Sequence, residues 1–334
     1  MLLNNKSASL SKMLESDRTL YRELIIAWSN EIWLPAIQSE LDNNVWNLQQ
    51  NEQRFNDLLR AISNNNAIPF IGSGMSKPSG MPMWTPFMQT LADESNIRAK
   101  IDRLVQKGEF EKAATAVESK LTKRLFDRRI KETFNASSAT IEGPVWFTPY
   151  VFGNIVITTN FDNILERTYN SSGKPFNDII YGSRSDDYSE IRSPEIDKNY
   201  LVKIHGTYDK PSTRILTEIE YNINYAENST IKNELAHLVE SKSLVFLGCS
   251  LSNDRTMSLI KGVCESKENI RESFALLKSP TSAPEKLARD KFLSERNIFP
   301  IWYDGEHDTS IQAILVEILR RLERLTDKAM SGYI

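Results

Sequence analysis

The feature that most constrains this chain is a series of short apolar runs, each stopping abruptly at small or polar residues. Ala67–Ile71 ends at Gly72-Ser73-Gly74, Asn154–Thr158 at Thr159-Asn160-Phe161-Asp162, Tyr200–Ile204 at His205-Gly206, and Ser243–Leu247 at Gly248-Cys249-Ser250. Such a run, apolar throughout rather than alternating, suits a strand covered on both faces. Further short strands are expected near Ile179–Tyr181, Phe274–Leu277 and Ile298–Tyr303, with helical periodicity over Ile164–Tyr169 and Ile231–Val239. Strands alternating with helices predict an α/β protein with a Rossmann-like, mostly parallel sheet.

Two helical regions depart from that alternation. From Arg18 to about Ile62, apolar residues including Leu24, Trp28, Trp33, Val45, Trp46 and Phe55 recur at three- and four-residue steps, interrupted by Pro35. This predicts a helical leader over residues 1–60, whose tryptophans pack either on the chain's own core or on a neighbouring subunit. Residues from about Phe87 to Phe134 carry helical periodicity and many charges, and predict a small helical subdomain inserted at about 86–150 into a domain spanning 61–310. A terminal helix is expected within 311–334.

The chain has 334 residues and is 40% hydrophobic, long enough to bury roughly three quarters of its unfolded surface. Its formal net charge of −3 supplies no global basic field, so direct nucleic-acid binding is not expected. The two cysteines, Cys249 and Cys264, allow neither a disulfide framework nor a four-cysteine zinc site. No run approaches the eighteen or so apolar residues of a membrane span, and a soluble, cytoplasmic protein is expected.

In an open α/β sheet, ligands sit beyond the carboxyl ends of the strands, so the residues closing the apolar runs are the candidate site. Gly72 and Gly74 would let the backbone approach a pyrophosphate, with following amides donating to its oxygens; an ordinary strand-to-helix turn would use the same residues. No Gly-Lys-Ser/Thr follows, which removes the main support for phosphoryl transfer from ATP. Asn160 can orient a water or a ribose hydroxyl, or simply begin a helix as an Asx turn. His205 suits proton abstraction from a hydroxyl at neutral pH, or a structural hydrogen bond.

Taken in order, Gly72-Ser73-Gly74-Met75-Ser76, Gly80-Met81-Pro82, Thr159-Asn160-Phe161-Asp162, Lys203-Ile204-His205-Gly206 and Gly248-Cys249-Ser250-Leu251 resemble the successive motifs of the sirtuin family over residues 60–305. The resemblance implies NAD as substrate, with Gly72, Ser73, Gly74 and Ser76 cradling its pyrophosphate and Asn160 and Asp162 lining the nicotinamide-ribose pocket. It further implies His205 as the general base, and Gly248 and Ser250 near the phosphates or the adenine ribose. Sirtuin deacetylases carry paired CxxC motifs after the His-Gly, whereas this chain continues Thr207-Tyr208-Asp209-Lys210 without cysteine. Met83-Trp84-Thr85 also stands where the deacetylases have Asp-Phe-Arg.

These departures resemble the zinc-free sirtuin-like domains of bacterial antiphage systems, which degrade NAD when infection is sensed. The implied activity is NAD hydrolysis to nicotinamide and ADP-ribose, with no zinc. The alternatives are a sensor of NAD or an ADP-ribose-like nucleotide without turnover, and a protein deacetylase or ADP-ribosyltransferase. Little of the chain is left for sensing beyond the leader and the terminal helix. A homo-oligomer is therefore expected, and a HerA-type hexameric ATPase is the candidate partner.

Overall fold

The computed structural model describes residues 17–331 apart from 183–187, 193, 196, 228, 253 and 268. The expected leader thus begins, and the expected terminal helix ends, outside the described residues. Seven strands form one sheet: β1 (Ala67–Ile71), β2 (Ile155–Thr158), β3 (Asp178–Tyr181), β4 (Tyr200–Lys203), β5 (Ser243–Leu247), β6 (Ser273–Lys278) and β7 (Ile298–Tyr303). Their spatial order is β3-β4-β2-β1-β5-β6-β7, and every pair is parallel. The Rossmann-like expectation therefore holds, with the sheet wholly rather than mostly parallel.

Every residue of β1, β2, β4 and β5 is buried, as unbroken apolar runs require when helices cover both faces. Central β1 contains Pro69, which has no amide to donate. It is tolerated there because β1 pairs with β5 along its full length but with β2 only from Phe70 onward.

One face of the sheet buries a cluster in which leader residues Trp33, Ile37, Leu41, Val45 and Phe55 meet Ile311–Leu319 of the helix His307–Arg321. Trp33 stacks between Trp28 and Phe147 at ring separations of 6.1 Å. Trp46 packs edge-on against Phe55. The tryptophans therefore face the chain's own core, and among the described residues the large apolar side chains the leader exposes are Leu20, Leu24, Ile26 and Ile32. Asn51 receives the Trp302 amide and donates to the Trp302 carbonyl, covering edge strand β7 as a neighbouring strand would.

The opposite face buries residues of the helices Thr230–Ser241 and Arg255–Ser266. Between β1 and β2, four helices spanning residues 84–134 form a cap. Its own apolar cluster includes Phe87, Phe126 and Phe134 together with Phe161 and Leu216 from the loops after β2 and β4. The expected insertion to about residue 150 divides here. Its last part, with Val145, Phe147 and Val151, joins the main core instead.

Candidate active site

Strand β1 lies between β2 and β5, so the chain runs away from it in opposite directions on its two sides, leaving a crevice above the carboxyl ends. A cavity of about 790 Å³ opens there, roofed by the cap, within the range of small-molecule and cofactor sites. Its lining includes Gly72, Ser73, Asn160, Asp162, His205, Gly248 and Ser250. Residues expected from four separate strand ends thus converge on one chamber.

Gly74 and Ser76 do not line it, whereas Gly72 and Ser73 of the same loop do. A Cβ on Gly72 would lie 2.4 Å from the Gly248 carbonyl oxygen, and one on Gly74 2.9 Å from the same atom. Both glycines are required by the close approach of the β1 and β5 loops to each other. The amides of Gly72 and Gly74 donate to Leu247 and Gly248, and those of Met75, Ser76 and Lys77 donate within the loop. These five amides are engaged by the protein's own carbonyls, and the Ser73 amide is not among them.

Ser76, fully buried, acts as a hub instead. Its hydroxyl accepts from Asn160 Nδ2 at 3.1 Å and donates to Asp162 Oδ1 at 3.1 Å. With Nδ2 so engaged, the Asn160 amide oxygen is the atom that can accept a hydrogen bond from water or a hydroxyl. Burial pushes the Asp162 carboxyl up, opposed by the nearby Lys203 ammonium and the Ile164 amide.

Lys203, the last residue of β4, is itself buried. Its Nζ donates to the Asp162 carbonyl at 2.6 Å and pairs with Glu166 at 2.8 Å. This ammonium fixes the turn that carries Asn160 and Asp162.

His205 stands at the end of β4, partly exposed to the cavity. Desolvation lowers its imidazole to about 4, so the ring is neutral at pH 7. Its Nε2 lies 2.9 Å from Tyr225 Oη, which in turn lies 3.1 Å from Thr256 Oγ1. The Tyr221 ring meets the imidazole edge-on at 5.3 Å. Burial raises both tyrosines, so their hydroxyls stay protonated.

These two tyrosines were not singled out from the sequence. Tyr221 lies in the helix Glu218–Asn224 and Tyr225 caps its C-terminus; the helix is announced by a capping box in which Thr217 and Glu220 satisfy each other's amides. The Thr-x-x-Glu spacing is the signal that could have located it.

Among the described residues no cluster of three histidine, cysteine or acidic side chains could hold a metal. No helix among them is long and apolar enough to cross a membrane. Cys249 lines the cavity with its thiol pushed up by burial, which leaves it protonated and a poor nucleophile.

The all-parallel sheet and the chamber at its switch point define an α/β protein of the nucleotide-binding type. A SIR2-like domain matches residues 154–301, a segment that runs from β2 through most of β7 and contains Asn160, Asp162, His205, Gly248 and Ser250. The chain is also similar to Defense-associated sirtuin 2 of Bacillus subtilis, at 24% identity over 247 residues, covering 72% of this chain and 23% of that protein. It is similar to two proteins named NAD(+) hydrolase ThsA. The identity is 24% with that of Acinetobacter baumannii (strain 532279), covering 61% of this chain and 40% of the relative. With that of Bacillus cereus (strain MSX-D12) it is 21%, covering 70% and 48%. The chain thus spans about a quarter to a half of the length of these relatives, and what it shares with the family model is a SIR2-like domain over residues 154–301.

Proposed function

We propose that the chain binds NAD and hydrolyses its nicotinamide–ribose bond, acting as an antiphage effector that depletes NAD. The observation that carries the reading is the convergence of Asn160, Asp162 and a neutral His205 on one partly desolvated chamber. Breaking the C1′–N bond returns its electron pair to nicotinamide and leaves oxocarbenium character on the ribose. The carboxyl oxygens of Asp162, which lines the chamber, are electron-rich groups suited to that developing positive charge. Water held by the Asn160 oxygen adds to C1′, and the neutral imidazole accepts a proton from a ribose hydroxyl or from the attacking water. The products are nicotinamide, ADP-ribose and a proton. Each step uses groups of this chain, water and the substrate.

Relatives named NAD(+) hydrolase support the substrate class. The test is nicotinamide release from NAD by the purified chain at neutral pH, alone and with a HerA-type ATPase, with NAD binding measured in parallel. His205→Ala is expected to lose about 10²- to 10⁴-fold, and Asn160→Ala to lose comparably. Unchanged turnover in both variants would reject the assignment of these residues.

A second reading, a nucleotide sensor without turnover, is favoured by the engagement of His205 Nε2 with Tyr225. Tight NAD binding with no nicotinamide release under every condition would select it. ADP-ribose recovered on protein rather than free would select a transferase. Self-assembly belongs to the proposal through the exposed Leu20, Leu24 and Ile32. A monomer by light scattering at all micromolar concentrations would remove that part.

A further inference from the structure

With five amides of the β1 loop donating to the protein's own carbonyls and Ser73 left to supply one, side chains are the natural further donors for a dinucleotide's pyrophosphate. The cationic side chains in the cavity's described lining are Lys112 and Arg255. Lys112 pairs with Glu109 and is half-exposed, with 52% of its side chain accessible. Arg255 is the more enclosed, at 31%. It stands at the first position of the helix Arg255–Ser266, which follows the loop after β5.

The present partner of Arg255 is informative. Its Nε and Nη2 donate to the two carboxylate oxygens of Glu111 at 2.7 and 2.6 Å, a fork across the cavity to the cap. Nη2 also donates to Asn222 Oδ1 at 2.7 Å, and the guanidinium lies 5.5 Å above the Tyr221 ring. Two parallel N–H···O bonds to a pair of anionic oxygens make the same pattern an arginine presents to a phosphate. Both members of the pair line the chamber and are partly solvated, so exchanging one anion for another requires no newly buried charge.

We propose that Arg255 is the phosphate-binding residue of this cavity and that Glu111 occupies the place of the ligand's pyrophosphate until the ligand arrives. The proposal rests on the dinucleotide reading above and adds the residue that holds the diphosphate. It carries a mechanical consequence. When Arg255 turns to phosphate it releases Glu111 on the cap and Asn222 on the tyrosine-bearing helix, loosening the contacts over His205. Ligand entry and exposure of the base are then one event.

The experiment is calorimetric binding of ADP-ribose, and separately of inorganic pyrophosphate, to the full chain and to Arg255→Gln, Arg255→Lys and Glu111→Gln. Loss of a charge-assisted pair corresponds to about ten-fold or more in affinity, so Arg255→Gln is expected to weaken both ligands by at least that factor. Arg255→Lys should recover part of it. Glu111→Gln removes the competing anion and should tighten both ligands several-fold. A structural tie predicts the opposite, that Glu111→Gln weakens binding alongside Arg255→Gln, and this result overturns the proposal. So does Arg255→Gln binding both ligands like the unaltered chain.

The two readings fail differently. Arg255-dependent binding of pyrophosphate without binding of ADP-ribose or NAD would uphold the anion site and reject the dinucleotide. Binding of NAD and ADP-ribose indifferent to Arg255 would do the reverse, and no binding of any of the three ligands would overturn both. Thermal melting checks that each variant is folded. Glu111→Gln, which retains size and hydrogen-bonding capacity, keeps the test decisive if Arg255→Gln is unstable.

Discussion

If His205 is the base, the acid limb of NAD hydrolysis should lie far below that of an ordinary histidine. Desolvation lowers the imidazole from 6.5 to about 4, and the neighbouring tyrosine hydroxyls stay protonated and so add no charge. At pH 5.5 a ring of pKa 6.5 would be only about 9% neutral, whereas one of pKa about 4 is about 97% neutral. The structure therefore predicts nearly equal kcat/KM at pH 5.5 and 7.5, where an unshifted base would lose about ten-fold. Initial rates of nicotinamide release at NAD concentrations well below KM report the free enzyme. His205→Ala must lower them throughout, since a flat profile without that loss would mean another base.

Stability sets the lower bound of the measurement. The folded-state pKa is depressed, so the unfolded chain binds more protons between about pH 4 and 6.5. The contribution of this group to stability is complete above 6.5 and is lost as pH falls through that window, by at most ~1.4 kcal/mol per pH unit. Circular dichroism at each pH separates unfolding from titration. An acid limb near 6.5 in a folded sample would refute the desolvated environment on which the base assignment depends.

Two substitutions test the architecture beneath the site. Gly72→Ala places a methyl 2.4 Å from the Gly248 carbonyl oxygen and 2.8 Å from Cys249 Sγ. Urea titration should show about 1–3 kcal/mol of destabilisation, while Gly262→Ala, which meets nothing within 4 Å, should be neutral or mildly stabilising. Lys203→Met removes the ammonium that ties Glu166 to the Asp162 carbonyl and should cost ~3 kcal/mol by the same measurement. A loss below about 1 kcal/mol would mean that the turn carrying Asn160 holds its shape unaided.

Strands β5 and β7 coincide with the expected runs Ser243–Leu247 and Ile298–Tyr303. The physics that buries them acts within each segment, since an unbroken apolar run can be covered only on both faces. The convergence of Asn160, Asp162, His205 and Gly248 was legible for a related reason: parallel strands put all their carboxyl ends on one edge. Tyr225 and Arg255 were not legible. Their roles rest on contacts with His205 and with Glu111, the latter 144 residues away, and nothing in the local pattern of either residue encodes the partner. The glycines carry a different kind of information. A Gly-x-Gly turn reports only that something approaches the backbone closely. Here the approaching group is the neighbouring β5 loop, which also takes up the amides of Gly72 and Gly74.

Ser76 shows what that loop does for catalysis. It does not line the chamber, yet its single hydroxyl bonds to both Asn160 and Asp162, so the β1 and β2 loops are held in register. Ser76→Ala leaves a buried carboxylate short of a donor and an amide free to turn, at about 1–3 kcal/mol of stability. A displacement of about 1 Å in a positioning group can cost 10²-fold in rate. The expected signature is therefore a kcat reduced by one to two orders of magnitude with KM changed little, because phosphate contacts made elsewhere in the cavity still hold the substrate. If the melting temperature falls while kcat stays within two-fold, Ser76 only supports the fold, and Asn160 must be oriented by its own backbone bond to Thr158 Oγ1.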